Sequence, residues 1–345
     1  MKGPKKMASF DVFGNDAFSM TSLTGAIETV DYLPNLIGSL GIFEKDGVRT
    51  KNFWVDRRDG ELNVIATSER NSPNSVLARD TRNTVSLSTV RLAQESTITA
   101  AEIADWRAFG SESEFAVVQT EYALRMKKLR DNMEYTMERH RLGALQGILL
   151  DADDSVLFNY FTEFGETQAA EIDFALGTAT TEVRNKCNQV VRQMKTASRG
   201  SWTAGAQVHA ICGDTFYDDL ISHSTVKESY LNWAAAADLR EGTAYESFKF
   251  GGITFHNYQG SDDGSEIAIA ATEAKFFPVG VAGVFKQIMS PADEYIEFAN
   301  TKGLDVYALN EIDPAQNKKW NKAIVSAYPL FMCQKPRMLQ RGKRS

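Results

Sequence analysis

Cysteine, histidine and long apolar runs are all scarce in this chain of 345 residues. The three cysteines, Cys187, Cys212 and Cys333, lie far apart and are odd in number. This pattern argues against a disulfide framework and predicts reduced, buried thiols in a cytoplasmic product. No segment approaches the ~18–20 consecutive apolar residues that a membrane-crossing helix needs, so no such helix is predicted.

Motifs of catalysis and of metal or cofactor binding are missing as well. The four histidines are isolated in sequence, and none has a partner at a metal-ligand spacing such as His-x-x-x-His. No phosphate-binding glycine loop, dinucleotide fingerprint or Gly-x-Ser-x-Gly nucleophile turn occurs. We therefore expect no enzyme activity, no catalytic residues, no metal and no cofactor. His140 is expected to be a core histidine.

Basic residues are sparse in the body of the chain and concentrated near its ends. Lysine and arginine number 38 against 45 acidic residues, and the resulting net charge of −7 excludes a basic protein that coats nucleic acid. Eight of the basic residues lie in segments 1–6 and 335–345, which contain no acid. Residues 7–334 therefore carry 30 basic and 45 acidic side chains, a net charge of −15.

Two segments near the N-terminus have too few apolar residues to form a core of their own. Residues 1–41 are polar, with a short helix predicted at Ser22–Leu33. Within residues 42–95, alternating runs at Lys51–Asp56 and Leu62–Ala66 flank Asp59-Gly60, which is a hairpin signal, and Val85–Thr89 resumes the alternation. The polar stretch Ser68–Thr84 between the later two strands cannot bury itself, so we expect a long projecting β-loop. The alternative is a disordered insertion.

The strongest periodic pattern runs from Ser113 to about Leu150. Apolar or aromatic residues recur there every three or four positions, which predicts one amphipathic helix roughly 50–55 Å long. The acidic residues Asp151–Asp154 are expected to mark its end. The predicted polar face carries Arg125, Lys127, Lys128, Arg130 and Glu134.

The remaining segments mix strands and helices in the segregated order of an α+β fold rather than in repeated βαβ units. A β-ribbon is predicted over residues 156–176, a helix over Thr180–Lys195, and further helices within Gly213–Trp233. The other predicted strands are Val208–Cys212, a hairpin in Phe248–Tyr258, Ile267–Ala271, Lys275–Val281, Val306–Ala308 and Ala323–Tyr328.

One stretch of sequence gives a more specific signal for the fold than the hydrophobic periodicity does. Ser96–Glu114, STITAAEIADWRAFGSESE, combines a strand with a capping-box pair at Thr99 and Glu102. Placed after a polar β-loop and before a very long helix, it resembles the lambda-type major capsid proteins of tailed bacteriophages, the HK97-fold major capsid protein E family. Phe161–Phe174 and the closing Ser326–Leu330 are similar to that family too, so the resemblance covers essentially the whole chain.

The resemblance implies an α+β, HK97-like capsid fold with an N-terminal arm, an extended β-loop (the E-loop), a P domain with a long spine helix, and an A domain. By that resemblance the divisions are residues 1–41 for the arm, 42–95 for the E-loop, 96–179 for the P domain with its spine helix at about 113–150, 180–270 for the A domain, and 271–345 for strands that return to the P and A domains.

The resemblance also implies a function. The chain would be the major capsid subunit that assembles with itself into hexamers and pentamers of an icosahedral phage head enclosing double-stranded DNA. Expected partners are a scaffold protein, a portal, a decoration or cement protein, and packaged DNA through weak non-specific contact, with no membrane. The expected location is the virion, after assembly in the host bacterial cytoplasm. The alternatives are an encapsulin-like shell of a bacterial compartment and a soluble α+β enzyme.

Arginines of the E-loop are the candidate inter-subunit contacts. Those expected near the tip, Arg70, Arg79 and Arg82, would pair with acids of the next subunit, and Arg57 and Arg58 lie on the strand that leads towards it. The alternative is a solvated, charged hairpin, because exposed ion pairs contribute little to stability.

Overall fold

The computed structural model describes residues 36–58, 82–102, 114–231, 247–258, 269–315 and 319–345. Its helices are α1 (Leu36–Ser39), α2 (Glu114–Gln146), α3 (Tyr160–Glu163), α4 (Val183–Ala197), α5 (Asp214–Ser222) and α6 (Ser224–Leu231), with a 3₁₀ turn at Pro336–Met338. The strands are β1 (Glu44–Gly47), β2 (Asn52–Arg58), β3 (Arg82–Ser88), β4 (Leu92–Thr99), β5 (Ile148–Leu150), β6 (Val156–Asn159), β7 (Ile172–Asp173), β8 (Gln207–Cys212), β9 (Ser247–Phe250), β10 (Ile253–Asn257), β11 (Glu273–Val279), β12 (Phe285–Met289), β13 (Tyr307–Ile312), β14 (Trp320–Ala327), β15 (Pro329–Cys333) and β16 (Gln340–Lys343). The predicted α+β character is confirmed.

Helix α2, the spine helix, has the predicted apolar stripe. Its 33 residues span about 50 Å at 1.5 Å per residue. The stripe is buried at the predicted spacing, by Tyr122, Met126, Leu129, Met133 and Met137. No helix in the described part of the chain is long and apolar enough to cross a membrane.

The spine helix ends earlier than its periodicity predicts. Gly147 has φ +81°, a left-handed conformation that turns the chain out of the helix, and a Cβ at this position would collide with the ring of Phe161. The chain continues as β5, Ile148–Leu150, where the periodicity predicts further helix. The acidic residues predicted at the helix end lie in the turn between β5 and β6, where Arg139 Nη2 contacts Asp154 Oδ1 at 2.5 Å.

The predicted polar face of the spine helix is partly wrong. Arg130 and Glu134, expected to face solvent, are buried. Lys127 and Lys128 are exposed as predicted. Oppositely charged residues one helical turn apart can neutralise each other, which allows this face to pack against other elements.

A three-stranded sheet lies against the spine helix, with strand order β13-β14-β4. The antiparallel pairing of β14 with β4 runs from Trp320 opposite Thr99 to Ala327 opposite Leu92. At the end of β4 the predicted capping box is confirmed. The N–H of Thr99 donates to Glu102 Oε2 at 3.0 Å, and the N–H of Glu102 donates to Thr99 Oγ1 at 3.4 Å.

A six-stranded sheet forms the second large layer, in the order β7-β16-β11-β8-β10-β9. The ring of Phe174 stacks on that of Phe276 at 5.5 Å and meets Phe216 edge-on at 5.3 Å. The apolar face of α4 is buried as predicted, including Val183 and Cys187. The main core is one continuous cluster from Ile37 to Leu339, so the division into P and A domains stays a prediction.

β1 and the β2–β3 pair belong to two smaller sheets. β1 pairs in parallel with β12, which pairs antiparallel with β15. β2 and β3 form an antiparallel hairpin, so the strands predicted at Lys51–Asp56 and Val85–Thr89 are confirmed. The strand predicted at Leu62–Ala66 lies outside the described residues. Residues 59–81, which join these strands, lie outside the described residues.

Two sequence predictions differ from the structure. The ribbon predicted over residues 156–176 contains the strands β6 and β7, but these pair with β5 and β16 instead of with each other. Helix α3 lies between them, because Asn159 Oδ1 accepts from the N–H of Phe161 at 3.1 Å and caps a helical turn. The strand predicted at Ile267–Ala271 is replaced, from residue 269 onward, by a turn that leads into β11. The helix predicted at Ser22–Leu33 lies outside the described residues.

Candidate subunit-interface surfaces

The β2–β3 hairpin is anchored at its base and exposed on one face. Val55 and Leu87 are buried in the main core, whereas Trp54 is 72% exposed. The register places Arg58 directly opposite Arg82. Trp54, opposite Ser86, lies near the base of the hairpin, and this arginine pair lies at its far end.

Three of the five predicted contact residues, Arg57, Arg58 and Arg82, are at the far end of this hairpin. Arg70 and Arg79 lie outside the described residues. Like charges placed directly opposite each other disfavour an antiparallel pair, and the register gives the hairpin such a pair at this end. Pairing of these arginines with acids of the next subunit stays a prediction.

A carboxylate of the spine helix holds the point from which the predicted N-terminal arm departs. Glu138 Oε1 accepts from the N–H of Ile37 at 2.8 Å, and Glu138 Oε2 accepts from the N–H of Gly38 at 3.2 Å. The side chain of Ile37 is fully buried in the main core. The carboxylate thus supplies the acceptors that the first N–H groups of α1 lack within their own helix.

Glu138 belongs to a buried row of alternating charges on one helix. Arg141 donates to Glu138 Oε2 at 3.3 Å and to Glu134 Oε2 at 3.4 Å, and Arg130 donates to Glu134 Oε1 at 3.2 Å. Burial raises the pKa of Glu138, while its bonds to Ile37 and Arg141 oppose that change. Sequence reasoning missed this row, although the i, i+3 and i, i+4 spacing of opposite charges was the available signal.

Two histidines predicted to be isolated are in contact. The rings of His209 in β8 and His256 in β10 stack with centroids 5.2 Å apart, and His209 Nδ1 lies 3.0 Å from His256 Nε2. Burial first, then repulsion from His256 and Lys249, lowers the pKa of His209 to about 4. The parallel pairing of β8 with β10 brings these residues together from 47 positions apart, which no local spacing predicts.

No described cluster has the composition of a metal site or of an activated nucleophile. Within the described ranges, no group of three or more His, Cys, Asp or Glu side chains could hold a metal ion. The three cysteines are free and buried, as predicted. Burial raises the pKa of Cys187 and of Cys333 to about 12, which keeps both thiols protonated and unreactive.

The basic C-terminal segment is part of the fold. Arg337 donates to the carbonyl of Ala197 at 2.7 Å and to Glu166 Oε1 at 3.1 Å. Arg344 forms an ion pair with Asp219. β16, which contains Arg341 and Lys343, lies between β7 and β11 in the large sheet, so this basic segment is held in the fold.

Sequence comparison relates the chain to phage capsid proteins. Residues 19–344 match the family model described as phage major capsid protein E. The major capsid protein of Pseudomonas phage KPP10 is 28% identical over 319 residues, which cover 86% of this chain and 89% of the relative. The major capsid protein of Salmonella phage Felix O1 is 22% identical, with 93% of this chain and 95% of the relative covered.

Solved structures share the fold at low sequence identity. The capsid of cyanophage P-SCSP1u aligns with a TM-score of 0.51 and 11% identity, covering 92% of this chain and 90% of that one. The capsid of cyanophage A-1(L) aligns with a TM-score of 0.51 and 14% identity, covering 91% and 95%. These similarities confirm the HK97-like fold.

Proposed function

The chain belongs to the phage major capsid protein E family and is a structural subunit of a phage capsid, and we propose from this premise how its copies assemble. Identical subunits form the hexamers and pentamers of an icosahedral head that encloses double-stranded DNA. Assembly takes place in the host bacterial cytoplasm, with a scaffold protein, a portal and a decoration or cement protein as partners. The divisions into arm, E-loop, P domain and A domain are those implied by the resemblance.

The observation that carries this proposal is the β2–β3 hairpin. Trp54 on β2 is 72% exposed, and the register of the hairpin places Arg58 opposite Arg82. Tryptophan and arginine are enriched at the energetic centres of protein interfaces. A contact between this hairpin and a different surface of the next copy is heterologous, and heterologous contacts close into rings when the rotation between copies allows it.

The test is reversal of charge at the tip and the adjoining strand. The variant Arg70→Glu, Arg79→Glu, Arg82→Glu is expected to give soluble, folded subunits that form no shells, because acids of the neighbouring copy would then face acids. Negative-stain microscopy and size-exclusion chromatography measure assembly, and circular dichroism measures folding. Nuclease-protected DNA inside particles purified from infected cells distinguishes a phage head from a compartment that encloses enzymes.

The matched control reverses three exposed basic residues on and after α4 and on α6, Arg192, Arg199 and Lys227. This variant has the same change in net charge and is expected to assemble normally. Normal shells from the E-loop variant would refute the proposed role of the arginines. Equal loss of assembly in both variants would also refute it, since the effect would then come from total charge.

A further inference from the structure

Helix α4 carries a basic face in a part of the chain that contains no acid. Residues 183–213 include five lysines and arginines and neither aspartate nor glutamate. Arg184, Arg192 and Lys195 are exposed on α4. At 3.6 residues per turn, these three residues lie within about 80° around the helix axis and along about 16 Å of its length. We call this set of three residues the basic stripe.

The helix that carries the basic stripe is firmly packed. The C-terminal end of α4 is held by Arg337, whose Nε donates to the carbonyl of Ala197 at 2.7 Å. The face opposite the stripe is buried in the main core, by Val183, Cys187, Val190 and Met194. Because this packing fixes the rotation of the helix about its axis, the three basic residues are presented together on the side away from the core.

Aromatic rings hold two of the three cations of the stripe. The Arg184 guanidinium lies 5.8 Å from the ring centroid of Phe250, and Lys195 Nζ lies 5.7 Å from that of Trp202. Within the described residues, no ion pair involves Arg184, Arg192 or Lys195. An aromatic ring attracts a cation without neutralising its charge. The basic stripe therefore keeps its positive charge for a partner outside the subunit.

The basic C-terminal segment provides the contrast. There Arg337 pairs with Glu166 at 3.1 Å, and Arg344 pairs with Asp219. The charge of these arginines is compensated inside the fold, although the segment itself contains no acid. The chain has 45 acidic residues, yet none in the described part of it compensates the stripe. Such a surface attracts an anion from outside.

The composition of the exposed face of α4 favours a phosphate backbone over a protein as that anion. The exposed residues between positions 184 and 196 are all arginine, lysine, asparagine, glutamine or threonine. These are side chains that contact phosphate in protein–DNA complexes. Among the described residues, no large hydrophobic side chain that is exposed lies on α4, whereas the centre of a protein–protein interface usually contains such side chains.

We propose that the basic stripe contacts the phosphate backbone of the double-stranded DNA enclosed by the shell. The inference rests on the proposed function and names the surface through which the subunit contacts DNA. DNA carries one negative charge per about 1.7 Å of its axis, so a stripe about 16 Å long meets phosphates whatever the base sequence. Three such contacts weaken about a thousandfold between about 0.01 and 0.15 M salt, so the binding is weak at physiological salt.

Salt titration of DNA binding to full-length subunits tests the stripe. Fluorescence anisotropy with a labelled duplex of mixed sequence compares the unchanged chain with the variant Arg184→Gln, Arg192→Gln, Lys195→Gln. The affinity at low salt should fall at least about tenfold, and the slope of log affinity against log salt should become shallower by about 2–3, since each phosphate contact contributes about 0.9. The charge-preserving variant Arg184→Lys, Arg192→Lys, Lys195→Arg should bind like the unchanged chain.

The matched control replaces three other exposed lysines, Lys127, Lys128 and Lys302, by glutamine. This variant has the same change in net charge as the glutamine variant of the stripe and should keep its affinity for DNA within about twofold. Circular dichroism checks that all variants fold. Equal losses in the two glutamine variants would overturn the inference, because binding would then follow total charge. Unchanged binding by the stripe variant would overturn it as well.

Acetylation of lysine in phage heads identifies the partner. Full heads, and the same heads after release of their DNA, are treated with an acetylating reagent, and mass spectrometry measures the modification of Lys195. The modification should be at least about fivefold slower in full heads, because phosphate contact shields the amine. Equal protection in both preparations would show that protein covers the stripe, and equal reactivity would show that DNA does not contact it.

Either of those two results would overturn the inference and leave the proposed function intact. Failure to obtain any heads that contain DNA would count against the proposed function instead. The binding of DNA to purified subunits would still test the stripe in that case.

Discussion

At the scale of single residues, His140 is a titratable group enclosed by the fold. The side chain is only 1% exposed, and its ring lies 6.5 Å from that of Phe331. Burial is the main cause that lowers its pKa to about 4; Arg139 and Arg141 lower it further, and Asp151 opposes them. The prediction of a core histidine is confirmed, and its consequence is a pH-dependent stability.

Acidification is therefore expected to destabilise the subunit below pH ~6.5, the ordinary pKa of an unfolded histidine. The folded state prefers the neutral ring, so this stabilisation is complete above that pH and is lost as the pH falls towards the folded pKa of about 4. The loss from His140 is about 3 kcal/mol between pH 7 and pH 4. Urea denaturation across this range measures it.

The variant His140→Gln is the comparison for that titration, because glutamine does not ionise. Its free energy of unfolding should fall less steeply over the same pH interval, with the remaining slope including the contribution of His209. Identical slopes for the two proteins would show that His140 does not titrate with the expected shift.

At the scale of elements, the spine helix does more than supply an apolar stripe. Its apolar residues bind the sheets, while Glu138 and Arg141 on the same helix bind the start of α1 and the ring of Phe331, whose centroid lies 5.1 Å from the Arg141 guanidinium. The spine helix and helix α1, where the predicted arm ends, are therefore bonded directly to each other. A change in one of them must be accommodated by the other.

Removal of the Glu138 carboxylate should weaken the attachment of α1 to the spine helix. Glu138→Ala leaves Arg141 short of a partner and the N–H groups of Ile37 and Gly38 without acceptors, so an expected loss is about 3–5 kcal/mol in the free energy of unfolding. Chymotrypsin should also cut faster after Leu36 or Leu40. Urea denaturation and timed proteolysis measure the two effects.

Glu121→Ala provides the matched control on the same helix. Glu121 accepts from Arg125 at 3.2 Å at a partly exposed position, and its loss should cost under about 1 kcal/mol. Equal losses of unfolding free energy in the two variants would show that the burial of Glu138 and its hydrogen bonds to α1 contribute no more to stability than an exposed ion pair.

At the scale of the whole molecule, the basic residues concentrated at the C-terminal end are bonded within the fold. The C-terminal arginines are engaged inside the fold with Glu166, Asp219 and backbone carbonyls. The acidic body then determines most of the field around the subunit. Repulsion between that field and phosphate would keep DNA from binding tightly to the subunit, as expected if the proposed shell encloses DNA without coating it.

The subunit is expected to bind double-stranded DNA weakly and only at low salt. Fluorescence anisotropy should detect no binding near 0.15 M salt, where the Debye length is about 8 Å, and weak binding near 0.01 M. Substitution of Lys2, Lys5 and Lys6 by alanine should weaken the low-salt binding further. Tight binding of DNA at 0.15 M salt would refute the proposal that the subunit binds DNA only weakly.

The sequence by itself determined the local elements and the family. A spacing of three to four residues specifies the apolar stripe of the spine helix, alternation specifies the E-loop strands, and Thr99 with Glu102 specifies a cap, because each signal is complete within a few residues. The resemblance in Ser96–Glu114 led to the capsid fold. The end of the helix was missed by four residues, since Gly147 acts through its contact with Phe161.

Only the tertiary structure decided which distant groups meet. It joined His209 to His256 through parallel strands, Glu138 to the root of the arm, and the C-terminal arginines to acids far away in the chain. It also left Ile296 exposed, whereas Tyr295 and Phe298 pack on a small separate core. The physical reason is that burial and pairing depend on how elements pack against each other, and no short stretch of sequence contains that information.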